Sequence, residues 1–259
     1  MLFAFDLDGT IITRNDELPA PTRAAILALR NAGHQVTVIT GRHHTGAQQA
    51  LAGLEVSRHF GTCNGARVHA DGDDHHLERH LDGEVVSYLL ERFTPDSAQN
   101  SAQFFLSTRD RMYVRDPAHE RWDRARQDGR ELWTPAEYGG EGAHKFILMS
   151  DQAAGLATEL SRRFPENAYY LWEHNYLEVV AAGADKGRAL QRIAAHYGIA
   201  QSDTVAFGDG PNDLEMLSWA GRSIGVGTLA PGVAELIDDH VPGPEELGVA
   251  RWLQRYVPL

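Results

Sequence analysis

The N-terminal run LFAF passes without a break into DLDGT, so Asp6 and Asp8 stand directly behind four apolar residues and directly before Gly9 and Thr10. This stretch constrains the fold more than any other. A continuous apolar run suits a strand buried on both faces, as in parallel sheets covered by helices on either side. Carboxylates beside buried apolar surface lose hydration and repel each other, so they need a cation or a partner. In open parallel sheets, ligands bind in the cleft beyond the carboxyl ends of the strands. If the strand continues through Asp8, the spacing of two puts both acids on one side, and Gly9 then lets the chain turn sharply.

The segments that follow keep the alternation this strand requires. PAPTRAAILALRNAG predicts a helix, with Pro21 near its start and Gly33 near its end. HQVTVITGR predicts a β-branched strand ending at Thr40-Gly41-Arg42. A helix through GAQQALAGL and a strand near HFGTCNG repeat the unit, and RVHADGDDHHLERHL reads as a hairpin turning near Asp71-Gly72. From 82 to 183 the pattern changes to paired helix–strand–strand groups with a loop at TPAEYGGEGA, which predicts an α+β module with its own antiparallel sheet. Beyond 184 the first rhythm resumes. KGRALQRIAAHYG reads as a helix and DTVAFGDG as a buried strand ending at Asp209. NDLEMLSWAG reads as a helix, RSIGVGT as a strand, GVAELIDDH as a helix and PEELGVARWLQRYV as a closing helix. The expected fold is α/β: a Rossmann-like parallel-sheet core of residues 1–81 and 184–259, split by an inserted α+β cap domain at 82–183.

A formal net charge of −12 argues against a nucleic-acid or anionic-membrane surface. It leaves room for a small phosphorylated ligand wherever local cations outweigh the global field. No apolar run is long enough to span a bilayer, and the N-terminus lacks the basic region of a signal peptide. The single cysteine, Cys63, forbids an internal disulfide and suits a reducing compartment. A cytoplasmic protein, monomeric or weakly self-associating, is expected. Cys63 itself reads as a small buried apolar residue, and DGDDHH as an exposed hairpin tip rather than a metal cluster.

The chemistry lies at the strand ends. Asp6 and Asp8, Thr40-Gly41-Arg42, Asn64-Gly65, and GDGPND with Asp209, Asn212 and Asp213 all fall at one edge if the strands are parallel. Acids gathered there need a hard cation. Oxygen donors with few protein ligands suit Mg²⁺, which keeps several waters and also takes a phosphate oxygen. Lys186, at a helix start that itself favours anions, is the expected second cation. One carboxylate can then attack phosphorus to form an aspartyl-phosphate, while the other protonates the leaving oxygen and activates water. Each feature alone is ordinary, since DG is a turn, TGR a loop and DKG a helix start. Their order and their placement at strand ends make the combination specific.

DLDGT (6–10), TGR (40–42), Lys186 and GDGPND (208–213) resemble the four motifs of the haloacid dehalogenase superfamily of phosphohydrolases. The insert, with NGA at 64–66 and LEVVAAGADKG before the helix, is similar to the Cof-type branch with a large α/β cap. The resemblance implies Asp6 as nucleophile and Asp8 as general acid/base. It implies Mg²⁺ on Asp6, the Asp8 main-chain carbonyl and Asp209, with Asp213 supporting. Thr40, Lys186 and Asn212 would hold the phosphate beside Gly9, Thr10 and Gly41, while Arg42, Asn64 and Gly65 would line the substrate side. The implied activity is a Mg²⁺-dependent phosphatase for small phosphorylated metabolites, sugar phosphates first, whose cap closes over the site and chooses the leaving group. Where that branch often carries Met and Asn after the fourth motif, VGTLA has Val226 and Thr228.

Two other readings share parts of this logic. A phosphosugar mutase would need a second phosphate gripped by cap arginines. Arg109, Arg111, Arg115, Arg121, Arg124 and Arg126 are available, most of them in what reads as a solvated helix and turn. A receiver-like phospho-acceptor would use the same acid, hydroxyl and lysine, but Asp8 and the long insert speak against it. Trp172, His174, Tyr176, Glu178 and the segment His144–Phe146 could face a cleft, although aromatic–apolar alternation in a strand reads first as core.

Overall fold

The computed structural model describes residues 1–52, 54, 59–70, 75–94, 102–127, 130–172 and 175–257. Asp71-Gly72, Asp73, Asp74 and His174 lie outside the described residues. The chain opens with β1 (Leu2–Phe5), α1 (Ala20–Asn31), β2 (Gln35–Val38), α2 (His44–Leu51), β3 (Gly61–Thr62), β4 (Arg67–His69) and β5 (His75–Glu78). It continues with α3 (Gly83–Phe93), β6 (Gln103–Thr108), β7 (Met112–Val114), α4 (Asp123–Gln127), β8 (Leu132–Trp133), β9 (Ala143–Met149), α5 (Ala153–Arg163), β10 (Ala168–Trp172) and β11 (Tyr176–Val180). It closes with α6 (Lys186–His196), β12 (Thr204–Gly208), α7 (Leu214–Trp219), β13 (Arg222–Val226), β14 (Asp239–Val241) and α8 (Gly248–Leu253). Two compact units result: Met1–Glu78 with Ala184–Leu259, and Arg79–Gly183.

In the first unit, five parallel strands lie in the order β14-β13-β12-β1-β2. Successive residues of a strand face opposite ways, so β1 supplies two cores. Phe3 and Phe5 pack with Val36, Val38, Val205 and Phe207 against Ile26 and Leu29 of α1 and Trp252 and Leu253 of α8. Leu2 and Ala4 pack with Ala206 against Leu190 and Ile193 of α6 and Met216 and Leu217 of α7. Cover on both faces is the physical reason for the unbroken LFAF run, since each buried large side chain contributes about 1.5–3 kcal/mol. A short antiparallel sheet, β3-β4-β5, continues from the end of β2 through a parallel bridge between Ile39 and Gly61.

The segment GVAELIDDH departs from the expected helix. Residues 231–236 are turns, and Asp239–Val241 forms the edge strand β14. Gly232, directly after Pro231, takes φ +86°, a left-handed conformation that breaks helical winding. Val233 still reaches the core, so an apolar spacing that looks helical is satisfied by a turn. The closing helix is likewise divided: Leu247, at φ +60°, separates a 3₁₀ turn at Pro244–Glu246 from α8.

The second unit holds a six-stranded sheet in the order β10-β11-β9-β6-β7-β8, antiparallel except for β7 and β8. Val85 and Leu89 of α3 and Leu156 and Leu160 of α5 pack with Phe104, Leu106, Phe146, Leu148, Leu177 and Val179. Alternation sends Phe105, Lys145, Ile147 and Glu178 to the other face. The TPAEYGGEGA loop carries a 3₁₀ turn at Pro135–Glu137, closed where the Thr134 N–H and hydroxyl each donate to Glu137 Oε2 at 2.8 Å. Among the described residues, no helix is long and apolar enough to cross a membrane.

Candidate active site

β1 ends at Phe5, one residue before the acids, so the strand does not carry Asp6 and Asp8 onto a common side. The chain instead wraps a tight turn in which the N–H groups of Thr10, Ile11 and Ile12 donate to the Leu7 carbonyl at 3.2, 3.0 and 2.8 Å. Asp6 is 6 % exposed and meets Lys186. The Asp8 side chain, 60 % exposed, meets Arg42. The two acids occupy different electrostatic settings although a single residue separates them.

Asp6, Asp209 and Asp213 each bring a carboxylate oxygen within 4.8 Å of the others. Lys186 Nζ, fully buried, donates to Asp6 Oδ1 at 2.6 Å and to Asp213 Oδ1 at 2.7 Å. Its place follows from the start of α6, where the Asp185 side chain accepts from the Arg188 N–H at 2.7 Å and caps the helix. The second oxygen of Asp213 accepts the N–H groups of Asp209 and Gly210 at 3.1 and 3.0 Å. Asp209 accepts from the Thr10 hydroxyl at 3.0 Å. Gly9, at φ +80°, is required twice over, because a Cβ there would stand 2.6 Å from Asp209 Oδ2.

Three carboxylates thus face one ammonium. Burial, followed by repulsion from Asp213, pushes the Asp209 carboxyl up to about 7. Burial outweighs Lys186 at Asp6 and, with Asp213, Asp209 and Asp8 adding to it, holds that carboxyl well above the ordinary range. Burial alone would lower the Lys186 ammonium, but Asp213 and Asp6 together raise it above its usual value. An oxygen-only donor set with this excess of negative charge fits a hard divalent cation such as Mg²⁺.

A second group of side chains stands at the end of β2. Thr40 Oγ1 accepts the Arg42 N–H at 3.1 Å, which closes the TGR turn. Cys63, Asn64 and Gly65 follow β3 in three successive left-handed conformations, at φ +49°, +55° and +83°. Asn212 donates to Asn64 Oδ1 at 2.7 Å, while Asn64 Nδ2 is buried without a hydrogen-bond partner among the described residues. An unmet buried donor costs stability unless a ligand oxygen satisfies it. A Cβ on Gly41 would stand 3.0 Å from Asn64 Oδ1 and 3.5 Å from Asn212 Nδ2, which places Gly41 against both amides. Gly65 packs on α6 instead, with its missing Cβ 2.4 Å from the Asp185 carbonyl.

The structure therefore groups Asp6, Gly9, Thr10, Lys186, Asp209 and Asp213, and beside Thr40 it groups Gly41, Asn64 and Asn212. Arg42 faces Asp8 and also Asp16, whose Oδ1 accepts from Arg42 at 2.5 Å. Asp16 is absent from every motif in the sequence; a lone acid in a polar loop carries no periodic or spacing signal. A cavity of ≈ 570 Å³ opens beside Asp209, lined by Gly9, Arg14, Gly227, Thr228 and His240. The departure at VGTLA thus falls on a wall next to the acidic cluster.

In the inserted unit, Lys145 Nζ donates to Glu178 Oε1 at 2.9 Å, and the Trp172 indole donates to Glu178 Oε2 at 3.2 Å. Three of the arginines considered for a second phosphate serve local structure. Arg115 donates to the Ala102 carbonyl at 2.9 Å, Arg126 to the His119 carbonyl at 3.2 Å, and Arg111 lies 4.1 Å from the Trp133 ring centroid.

Comparison with known proteins agrees with this geometry. The family model described as haloacid dehalogenase-like hydrolase matches residues 3–253. An HMP-PP phosphatase of Yersinia enterocolitica is 32 % identical over 262 residues, covering 99 % of this chain and 95 % of its own. An HMP-PP phosphatase of Cronobacter sakazakii is 30 % identical, with coverage of 93 % and 89 %. Among solved structures, a haloacid dehalogenase-like hydrolase from Bacteroides thetaiotaomicron superposes with a TM-score of 0.83 at 21 % identity, covering 98 % of each chain.

Proposed function

The chain belongs to the haloacid dehalogenase-like hydrolases, and from that premise we propose a Mg²⁺-dependent phosphatase for small phosphorylated metabolites, working through an aspartyl-phosphate on Asp6. The observation that carries this reading is the cluster of three carboxylates, Asp6 and Asp213 buried and Asp209 partly so, with one buried lysine bonded to the first two. Residues 1–81 with 184–259 are the catalytic core in this reading, and 82–183 select the leaving group.

Asp6, the Asp8 carbonyl, Asp209 and Asp213 would hold Mg²⁺, which when bound neutralises charge on the phosphoryl oxygens. An Asp6 carboxylate oxygen attacks phosphorus as the bond to the leaving oxygen breaks, and Asp8 gives that oxygen a proton. Water, losing its proton to Asp8, then attacks phosphorus and frees inorganic phosphate and the Asp6 carboxylate. Lys186 lies next to the attacking oxygen, where it offsets charge on the transferred group. Thr40, Asn64 Nδ2 and Asn212 supply neutral donors for phosphoryl oxygens, with Gly9, Thr10 and Gly41 shaping the backbone around them.

HMP-PP, the substrate in the names of both curated relatives, is the first compound to assay, followed by a panel of sugar phosphates. Phosphate release that requires Mg²⁺ and disappears in a folded Asp6→Asn variant supports the reading. Undiminished release from that variant contradicts it.

A further inference from the structure

We propose that Asp16 is a positioning residue for the general acid, acting through Arg42 on Asp8. The inference rests on the phosphatase reading above and adds to it a residue that lies outside the four motifs.

Asp8 is exposed, and its carboxylate projects from the turn around Leu7. A proton donor must stay within hydrogen-bond reach of the leaving oxygen, and a misplacement of about 1 Å can cost on the order of 10²-fold in rate. Arg42 supplies the constraint. Its Nε donates to Asp8 Oδ2 at 2.9 Å and Oδ1 at 3.2 Å, and its second guanidinium nitrogen also bonds Asp8 Oδ1. The planar fork therefore holds both carboxylate oxygens in one plane.

The Arg42 backbone is itself fixed. Its N–H is held by Thr40 Oγ1 at 3.1 Å, and its carbonyl accepts the Cys63 N–H at 2.9 Å. The long side chain between that backbone and Asp8 needs a second anchor, and Asp16 is the carboxylate placed there, at 2.5 Å. Asp16 reaches it from a turn in which its N–H donates to the Thr13 carbonyl at 2.9 Å and the Thr13 N–H donates to the Glu17 carbonyl at 2.9 Å. Asp16 adopts φ +63° in this turn. Glycine would serve that backbone with less strain. The side chain, not the turn, is what the position uses.

This geometry gives a signature that a substrate-binding or purely structural role would not. Protonation of the leaving oxygen matters for an alkyl phosphate and little for an aryl phosphate whose leaving group is already stable as an anion. The test compares kcat/KM for glycerol 3-phosphate and p-nitrophenyl phosphate in wild type, Asp16→Gly and Asp16→Asn. Both replacements tolerate a positive φ. The alkyl-to-aryl ratio is expected to fall about tenfold in Asp16→Gly, with a smaller fall in Asp16→Asn, which keeps an acceptor but loses the charge.

Equal losses for both substrates, or no loss, overturn the inference. Asp8→Asn should lower the same ratio further. If Asp8→Asn lowers it and Asp16→Gly does not, only the positioning role fails; if Asp8→Asn leaves it unchanged, the assignment of Asp8 fails. Independently of turnover, the Arg42 Nε–H signal in a ¹⁵N NMR spectrum, whose acceptor is Asp8, should be protected from solvent exchange in wild type and exchange faster in Asp16→Gly, where the guanidinium has lost its second anchor. Unchanged protection also overturns the inference.

Discussion

Each of the two units buries a lysine against carboxylates, and the two arrangements differ in their charge balance. In the inserted unit, Lys145 and Glu178, 5 % and 3 % exposed, form a pair that the Trp172 indole completes from the other carboxylate oxygen. Among the described residues one positive charge meets one negative charge there, and the Phe105 ring lies 5.5 Å from the ammonium. In the core, Lys186 meets Asp6 and Asp213 directly, with Asp209 in the same cluster. A balanced pair can close on itself as structure. An unbalanced cluster buries charge that its own residues do not neutralise, and that excess is what a divalent cation and a phosphoryl group can use. Burial of a charged lysine alone therefore does not mark a site; the imbalance around it does.

The sharpest way to break this comparison is to remove the carboxylate proposed as the core's nucleophile. Asp6→Asn should cost roughly 10⁴-fold or more in turnover while the far-UV circular dichroism stays that of wild type. Lys186→Met should follow, with a loss on the order of 10²–10³-fold in kcat, because the three acids then lack their fixed counter-charge. In the inserted unit the same type of change should act on stability. Lys145→Met should destabilise by about 3–5 kcal/mol in urea unfolding by stranding Glu178, and Lys145→Met with Glu178→Leu should recover most of it. A double variant as unstable as the single one would show that the pair is not a closed unit.

Metal titrations sharpen the comparison. The Asp209 carboxyl holds its proton up to about 7, against an ordinary value of 3.8. A carboxyl raised in this way favours the folded state below its unfolded value, and the contribution is lost as pH rises through about 7. Metal-free protein should therefore melt lower at about pH 8 than at about pH 5.5. Mg²⁺ should raise the melting temperature more at about pH 8, since at the lower pH it must displace a proton. Scanning calorimetry at the two pH values measures both, and an equal Mg²⁺ shift would contradict the charge assignment. The smallest effect expected is that of Thr10→Val, which removes the hydroxyl on Asp209 and should weaken Mg²⁺ roughly tenfold in calorimetric titration.

Much of the core was legible because burial and chemistry leave different marks on the same residues. The LFAF run requires cover on both faces, and the acids after it require a cation. The DKG helix start places Lys186 at the beginning of α6, from where its ammonium reaches the acids. What escaped is what leaves no periodic mark. Asp239–Val241 is a polar edge strand, and its pairing with β13 depends on tertiary position. The turn at 231–236 mimics helical spacing until Gly232 goes left-handed. Asp16 meets a guanidinium contributed from elsewhere in the chain, and no spacing announces that meeting. In the insert, Lys145 and Glu178 lie 33 residues apart, and strand alternation alone does not reveal that they meet across neighbouring strands.

The most direct test of the central claim is to find where the phosphoryl group rests during turnover. Wild-type protein mixed with Mg²⁺ and the best substrate from the panel, acid-quenched within the first turnover and digested, should yield a phosphorylated peptide. Borohydride reduction, which marks acyl-phosphates, should place the modification on Asp6, and the Asp6→Asn variant should give none. A phosphoryl group on any other residue, or steady turnover with no adduct on Asp6 at any quench time, would contradict the assignment of Asp6 as the nucleophile.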